Sequence, residues 1–230
     1  MIDRPSARAA LAAAALALTV ALPAHAVVAG QVDTFESGST LGWGVGANHP
    51  VPPTIVNTGG PAGAGDHYML LRALGNTLGD PGSRLAVRNG AQWAGDYIVA
   101  GITAVTMDVF NFGPGDLSLR LLFEAGSPAP TDLAWSTAPV LVPGGSGWRS
   151  VVFPVTAADL TPAPGSQVAD ALAGAVAIRL FHGTLSDFPG DRLAVTVGVD
   201  NITAVPEPAT ASLLTLGLLG GLAWRRRALR

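Results

Sequence analysis

The histidines and carboxylates are the residues of this sequence whose chemistry could serve catalysis or metal binding. The chain has four histidines in 230 residues, and no two of them stand at a spacing typical of metal ligands. His49 precedes a proline, His67 follows Asp66 directly, and His182 precedes a glycine. No G-x-S-x-G nucleophile elbow occurs, and spacing alone selects no pair of carboxylates for glycoside hydrolysis. These residues predict a protein without enzymatic activity.

The C-terminal segment, residues 205–230, has three features that point to a membrane. It opens with Pro206, Glu207 and Pro208, and because each proline fixes φ and lacks a backbone donor, no strand or helix should run through them. Residues 209–224 are uncharged, and as a helix they would extend about 24 Å against a hydrocarbon core of roughly 30 Å. An arginine-rich tail follows, at Arg225, Arg226 and Arg227. We expect a short transmembrane helix with a cytoplasmic tail; a buried helix with a basic end is the alternative.

This order of motif, apolar helix and basic tail resembles the PEP-CTERM sorting signal of Gram-negative bacteria. In that family, a membrane protease-transpeptidase called exosortase recognises the signal. The resemblance implies that exosortase is a partner during processing and that the chain pauses in the inner membrane before it is cut near Pro206-Glu207-Pro208. The expected destination is the cell surface or the extracellular matrix.

The N-terminal segment has the features of a secretory signal peptide. Arg4 and Arg8 precede an apolar stretch over residues 9–22, and Ala24-His25-Ala26 is similar to an A-x-A cleavage site. A transmembrane helix is disfavoured because the apolar stretch is too short. We expect signal peptidase to cut after Ala26, which divides the chain into a signal peptide (1–26), one domain (27–204) and a sorting signal (205–230).

The exported domain is acidic. Residues 27–204 contain seven arginines and 14 carboxylates, which gives a net charge of −7. A field of this sign argues against nucleic acid or anionic lipid as a partner and suits a divalent cation or a neutral sugar. Because the chain has no cysteine, its stability must come from packing or from a bound ion.

The domain is predicted to be all-β. Glycine and proline recur at short intervals, and several apolar segments alternate with period two, as in residues 104–112, 117–124, 176–181 and 193–200. Apolar residues on one face only indicate antiparallel sheets with one wet face, stacked in two layers. The only helix-like piece is at residues 157–160, a single turn. The pattern predicts an antiparallel β-sandwich.

Three stretches resemble a carbohydrate-binding-module-type jelly roll: DTFESGSTLGWGVG from Asp33, GWRSVVFPV from Gly147, and VTVGVDNITA from Val195. Such folds often hold a structural calcium ion between the first and last strands. The resemblance implies Glu36 and Asp200 as ligands, with Asp33 and Asp66 as further candidates, and backbone carbonyls would complete the shell. The alternative is that Glu36 and Asp200 simply solvate a turn and a strand end.

Such a jelly roll could also present a sugar-binding face. Outward-facing aromatic and polar side chains would form it, because a sugar packs its C–H face on a ring while its hydroxyls need partners. The candidates are Phe110, Phe112, Arg120, Glu124, Arg179 and Phe181, with Trp43, Trp93, Trp135 and Trp148 as additional aromatics. For each residue alone, a structural role is the competing interpretation.

Three functions are therefore open. The first is a non-catalytic exported surface or matrix protein, the second is a glycan-binding module for extracellular polysaccharide, and the third is a carbohydrate-active hydrolase. The first needs only the two sorting segments, and the third has no support beyond the fold.

Overall fold

The structure is a computed structural model, and it describes residues 26–77 and 79–207. The predicted signal peptide up to residue 25 and the predicted transmembrane helix lie outside these residues. Within the described ranges, no helix is long and apolar enough to cross a membrane.

Thirteen strands and one helix follow each other in the described residues. In chain order they are β1 (Val32–Asp33), β2 (Trp43–Gly44), β3 (Thr54–Val56), β4 (Tyr68–Leu74), β5 (Ala86–Asn89), β6 (Ile102–Asn111), β7 (Leu117–Ala125), β8 (Asp132–Ser136), β9 (Val140–Val142), β10 (Trp148–Pro154), β11 (Leu160–Pro162), α1 (Val168–Ala173), β12 (Ala175–His182) and β13 (Ala194–Pro206).

The strands form two antiparallel sheets. Sheet A has the order β10-β6-β13-β4-β3, and β1 also pairs with β13. Sheet B has the order β11-β8-β7-β12-β5-β2, and β9 pairs with β7. The predicted all-β sandwich is confirmed.

The core lies between the sheets and follows the alternation in the sequence. Val105, Met107 and Val109 of β6 face the core from sheet A, and Leu119 and Leu121 of β7 face it from sheet B. All five are at most 1% exposed. Burying a side chain of this size stabilises the fold by about 1.5–3 kcal/mol.

The outer face of sheet B is not wet throughout, contrary to the prediction. Residues 183–191, which we call the strap, connect β12 to β13. Leu122, Trp135 and Phe181 form a second apolar cluster, and Phe188 of the strap packs against it. Alternation cannot reveal this cover, because it depends on where a later loop lies.

Two further details differ from the sequence analysis. The predicted turn is present at residues 157–159, and a short helix that was not predicted, α1, lies at Val168–Ala173; six residues are too few to show helical periodicity. Strand β13 reaches Pro206, and the backbone N–H of Glu207 donates to Gly101 O at 2.9 Å. Pairing therefore extends beyond the predicted domain end at residue 204, and the proline is accommodated at an irregularity in the register between Val205 and Pro206.

Candidate functional site

An open cleft lies on the outer face of sheet B, beside the strap. Its volume is about 560 Å³, and its floor is formed by the outward-facing residues Ala86 and Arg88 of β5 and Arg179 of β12. One wall is the loop after β2 with His49, and Arg84 and Phe188 contribute from either side. The site is open, with charged groups at its base.

The base of the cleft is a carboxylate held between two arginines. Glu124 of β7 is 3% exposed. Arg88 Nε donates to its Oε2 at 2.9 Å, and Arg179 donates from Nε at 2.8 Å and from Nη2 at 2.5 Å to its Oε1. A buried carboxylate needs such partners. The pairing fixes both guanidinium groups in the floor.

The strap fixes the aromatic side of the cleft. The Arg179 guanidinium carbon lies 5.1 Å from the centroid of the Phe188 ring, a cation–π distance. Phe188 also meets Phe181 edge to face at 5.4 Å. Trp135 Nε1 donates to Ser186 Oγ at 3.1 Å, which ties the strap to β8.

The predicted sugar-binding set is divided by the fold. Arg120, Glu124, Arg179 and Phe181 lie on the neighbouring strands β7 and β12 of sheet B, on one face. Of these, Arg179 lines the cleft and Glu124 lies beneath it. Phe181 is fully buried under the strap.

Arg120 is buried as well, at 2% exposure. It donates to four backbone carbonyls: Gly183 O at 2.9 Å, Ser136 O at 2.6 Å, Thr137 O at 2.7 Å and Thr184 O at 3.3 Å. This arginine joins the base of the strap to the end of β8.

Phe110 lies on the other sheet. It is on β6 of sheet A, where it stacks on Phe112 with ring centroids 4.0 Å apart and meets Trp148 edge to face at 5.8 Å. Tyr68 also packs on Trp148, and Trp148 Nε1 donates to Gly59 O at 2.9 Å. These rings cover the outer face of sheet A. The other candidate tryptophans, Trp43, Trp93 and Trp135, are buried.

An acidic cluster surrounds Asp200 on the same outer face of sheet A. Asp200 is 1% exposed, and neither of its carboxylate oxygens has a hydrogen-bond partner within the described residues. The pKa of Asp200 is raised to about 7, chiefly by burial and also by the charges of Asp66, Asp108 and Glu36, while the nearby backbone N–H of Asn201 opposes the rise. Asn201 has φ of 51°, at an irregularity in the β13–β6 register. Asp200 lies on the outer face because it alternates with the buried Val197 and Val199, and the irregularity follows it and brings Ile202 into the core.

The other carboxylates of the cluster already accept hydrogen bonds. Glu36 Oε1 accepts from the His67 backbone N–H at 2.9 Å, and Asp66 Oδ2 accepts from Ala62 N at 2.6 Å. Asp108, which the sequence analysis did not single out, accepts from Asn201 Nδ2 at 2.8 Å. In the part of the chain that the structure describes, no three His, Asp or Glu side chains converge closely enough to hold a metal by themselves.

Asp33 is separate from this cluster. It faces the core beside Ile202, its register partner. Its Oδ2 accepts from the indole N–H groups of Trp43 at 2.7 Å and Trp93 at 2.8 Å, and Gln92 donates to Oδ1. Burial raises the pKa of Asp33, and these three donors oppose the rise. The Asp33 carboxylate therefore has a structural role, as the hydrogen-bond acceptor for these side chains in the core.

The histidines lie in three different places. His49 lines the cleft, His67 lies beside Glu36 at 3.9 Å, and His182 is 5% exposed and accepts from Ser118 N at 3.1 Å. Burial lowers the pKa of His182, and so it is neutral at pH 7. No nucleophile–base pair involves these histidines in the described residues.

The sequence analysis missed Arg84 and Arg88. Both belong to the stretch SRLAVRN, in which Arg84, Ala86 and Arg88 alternate with the buried Leu85 and Val87. The period of two therefore placed both arginines on one face. No local signal placed that face beside Arg179.

The C-terminal end matches a known sorting motif. A family model for the PEP-CTERM protein-sorting motif matches residues 204–227. The chain thus carries this motif, which indicates export and exosortase-dependent sorting to the surface or extracellular space. The match covers the Pro-Glu-Pro residues and the arginines Arg225 to Arg227. No curated protein matches the sequence.

Solved structures similar to the sandwich include carbohydrate-binding modules. The family 11 carbohydrate-binding module of Clostridium thermocellum, in complex with a β-1,3-1,4-mixed-linked tetrasaccharide, is 15% identical with a TM-score of 0.51, over 79% of this chain and 98% of that one. An exo-β-agarase is 16% identical with a TM-score of 0.52, over 78% of this chain and only 25% of that one. At these identities the similarity shows the fold, a jelly-roll β-sandwich like those of carbohydrate-binding modules.

Proposed function

We propose that this protein is a non-catalytic glycan-binding module that is exported and sorted to the cell surface or extracellular matrix. The observation that carries the proposal is the open cleft on sheet B, where a fixed aromatic ring and three arginines border a cavity of about 560 Å³. A cleft of this size can hold a few sugar units, and its polar groups are available to hydroxyls. Export to the surface would bring the cleft to extracellular polysaccharide.

A hydrolase is the less favoured candidate. The one buried carboxylate at the cleft, Glu124, is held by Arg88 and Arg179. A general acid or base must reach the substrate with a free carboxyl oxygen, and both oxygens of Glu124 already accept hydrogen bonds from these arginines. The arrangement supports binding rather than glycosidic bond cleavage.

Gly44 offers a test that leaves the fold intact. Gly44 lines the cleft, and a Cβ added there would meet no atom within 4 Å. Gly44→Met should therefore fill the cleft without strain. Gly115 is the matched control, since a Cβ there also meets nothing within 4 Å and it lies in the turn between β6 and β7.

The experiment is retention by a panel of neutral and acidic polysaccharides in affinity electrophoresis. We expect the wild type and Gly115→Met to be retained by the same polymer, and Gly44→Met to lose at least about tenfold in affinity. Equal retention of Gly44→Met and the wild type would remove the cleft as the binding site. Retention by no polymer would contradict the function itself.

We also propose that the Asp200 cluster binds a structural calcium ion. Two unpartnered carboxylate oxygens in a buried position, with Glu36 and Asp66 near enough to raise the pKa of Asp200, fit a hard cation that takes oxygen ligands. Asp108 joins these three carboxylates, and Asp33 does not, because tryptophan and glutamine donors occupy its oxygens. Backbone carbonyls would complete the six to eight ligands that calcium takes.

The test is the melting temperature of the purified protein with calcium, with magnesium and with EDTA. Calcium should raise the melting temperature, magnesium should substitute poorly, and Asp200→Ala should abolish the response. Glu36→Ala should weaken it. An unchanged wild-type melting temperature in EDTA, with no calcium in the purified protein, would exclude the site.

A further inference from the structure

The lining of the cleft is rich in arginine for so acidic a domain. Three of the seven arginines in residues 27–204, namely Arg84, Arg88 and Arg179, line it, and Asp80 is the only carboxylate in its lining. Glu124 lies beneath the floor, and Asp187 and Asp191 belong to the adjacent strap. The positive groups are therefore those that face into the cleft, and carboxylates surround it.

The arginines also keep donors available. Arg84 uses Nε for Gly190 O at 2.9 Å, and Arg88 uses Nε for Glu124. Among the described residues, the two terminal nitrogens of Arg84 and of Arg88, and Nη1 of Arg179, have no hydrogen-bond acceptor. The hydrogen bonds through Nε thus hold these side chains in place, while the terminal guanidinium nitrogens remain available to donate to a ligand.

Space around Arg88 is kept open by a residue without a side chain. A Cβ at Gly90 would come within 2.9 Å of Arg88 Nη1. The Arg88 side chain is 43% exposed, although its Nε is held by a carboxylate. A guanidinium with free parallel donors matches the geometry of a carboxylate or sulfate group.

We propose that the ligand of this cleft is an acidic polysaccharide, whose carboxylate groups are bound by Arg84, Arg88 and Arg179 while a sugar ring packs beside Phe188. This inference rests on the proposed glycan-binding function and narrows its substrate class. It replaces the neutral sugar that the overall charge had favoured, because a ligand responds to the charge nearest to it: the Debye length is about 8 Å at physiological ionic strength.

The experiment compares polygalacturonate with its methyl esters, since esterification removes the charge and retains the sugar chain. Binding of the purified protein, kept in detergent for its C-terminal segment, should fall by at least about tenfold on full esterification and should weaken as salt is raised from 50 to about 300 mM. Alginate and a sulfated galactan extend the acidic set, and agarose and a mixed-linkage β-glucan form the neutral set.

Arg88→Gln removes one cation, and it leaves Glu124 paired with Arg179. It should weaken binding to the acidic polymer at least about tenfold. The melting temperature should fall as well, because Glu124 Oε2 loses its donor, and binding is therefore compared at a temperature at which both proteins are folded. Arg149→Gln, an exposed position on β10 of sheet A, carries the same charge change and should bind as the wild type.

The outcomes separate the two proposals. Binding to neutral polymers that is insensitive to salt and to Arg88→Gln, yet lost in Gly44→Met, would overturn the acidic ligand and retain the glycan-binding function. Binding to neither set overturns both. Acidic binding that Arg149→Gln weakens as much as Arg88→Gln would show a diffuse charge effect and overturn the assignment to the cleft.

Discussion

Arg120 and Arg179 carry the same guanidinium group on neighbouring strands, and their surroundings give them different roles. Arg120 is 2% exposed and satisfies backbone carbonyls, whereas Arg179 pairs with Glu124 at the floor of a solvent-filled cleft. The alternation of β7 and β12 placed both on the outer face of sheet B. Arg120 has a structural role because the strap buries it, whereas Arg179 remains available to a ligand.

The first prediction at this scale concerns Arg120. Replacing it by methionine keeps the apolar stem but leaves the carbonyls of Ser136, Thr137 and Gly183 without their donor. Arg120→Met should lower the free energy of unfolding by about 3 kcal/mol or more, because buried acceptors without partners are costly. Denaturant titration measures it, with Arg149→Met as the control. A loss below about 0.5 kcal/mol would contradict the structural role.

The second prediction concerns the protonation of Asp200 without metal. Its pKa is about 7 in the folded protein and near the ordinary 3.8 in the unfolded chain. The folded state therefore binds more protons between pH 4 and 7, and the free energy of unfolding should fall by about 2–4 kcal/mol as pH rises through this window. In EDTA, Asp200→Asn should lack this decrease and exceed the wild type in stability at pH 8.

The measurement is denaturant unfolding at pH 4.5, 6 and 8, with and without calcium. Calcium should stabilise the wild type more at pH 8 than at pH 4.5, because it binds the ionised carboxylate. A wild-type profile that parallels that of Asp200→Asn at all three values would show that Asp200 is not a perturbed acid.

At the scale of elements, the positions of the strands could be predicted from the sequence, but which strands pair with each other could not. The alternation of Val105, Met107 and Val109 identified β6, and that of Leu119 and Leu121 identified β7, because burial on one face imposes a period of two. Pairing between strands distant in sequence leaves no such local trace. Phe110 was therefore grouped with Arg179, although they lie on opposite sheets.

The candidate sites were predictable to a similar extent. The metal site at Glu36, Asp66 and Asp200 stays a prediction: the charges of Glu36 and Asp66 act on Asp200, and Asp108 could not be added from the sequence because its position depends on the β6–β13 register. Arg84 and Arg88 alternate with buried residues as a strand requires. Their approach to Arg179 depends on the pairing of β12 with β5, where Arg179 lies opposite Arg88.

The element-scale prediction concerns residues 57–67, which connect β3 to β4. This loop contains Asp66, whose side chain accepts a hydrogen bond from the backbone N–H of Ala62. The carbonyl of Gly59 in the same loop accepts a hydrogen bond from Trp148 Nε1. Calcium bound to Asp66 and Asp200 would tie the loop to β13. Hydrogen exchange of its amides should slow by at least about tenfold with calcium.

Two controls make this result specific. Asp200→Asn should exchange at the same rate with and without calcium. Amides of the strap, on the opposite sheet, should respond less than those of the loop in the wild type. An equal response of loop and strap would indicate global stabilisation without a local contact.

At the scale of the whole molecule, the sorting motif begins within the last strand: it matches from residue 204, and β13 ends at Pro206. Pro206 still pairs with Ile102, and the Glu207 N–H bonds Gly101 O. We expect the mature surface protein to be cut near Pro206-Glu207-Pro208. Mass spectrometry of surface material should then lack peptides from residues 213–230. Mature protein that retains Arg225 to Arg230 would contradict this cleavage. A variant with Glu207→Ala should remain uncut and accumulate in the inner membrane.

The position of β13 in sheet A has a consequence for the order of events during export. β6 and β4 are both bonded to β13, and β1 pairs with it as well, so sheet A is joined through its last strand. A chain that emerges from the translocation channel with its N-terminus first delivers residues 194–206 after all the others. The strands of sheet B, all of which end by residue 182, can pair earlier. Sheet A can therefore close only after residues 194–206 have emerged, and because the sorting motif begins within this strand, completion of the fold is expected to come just before any processing of the C-terminal segment.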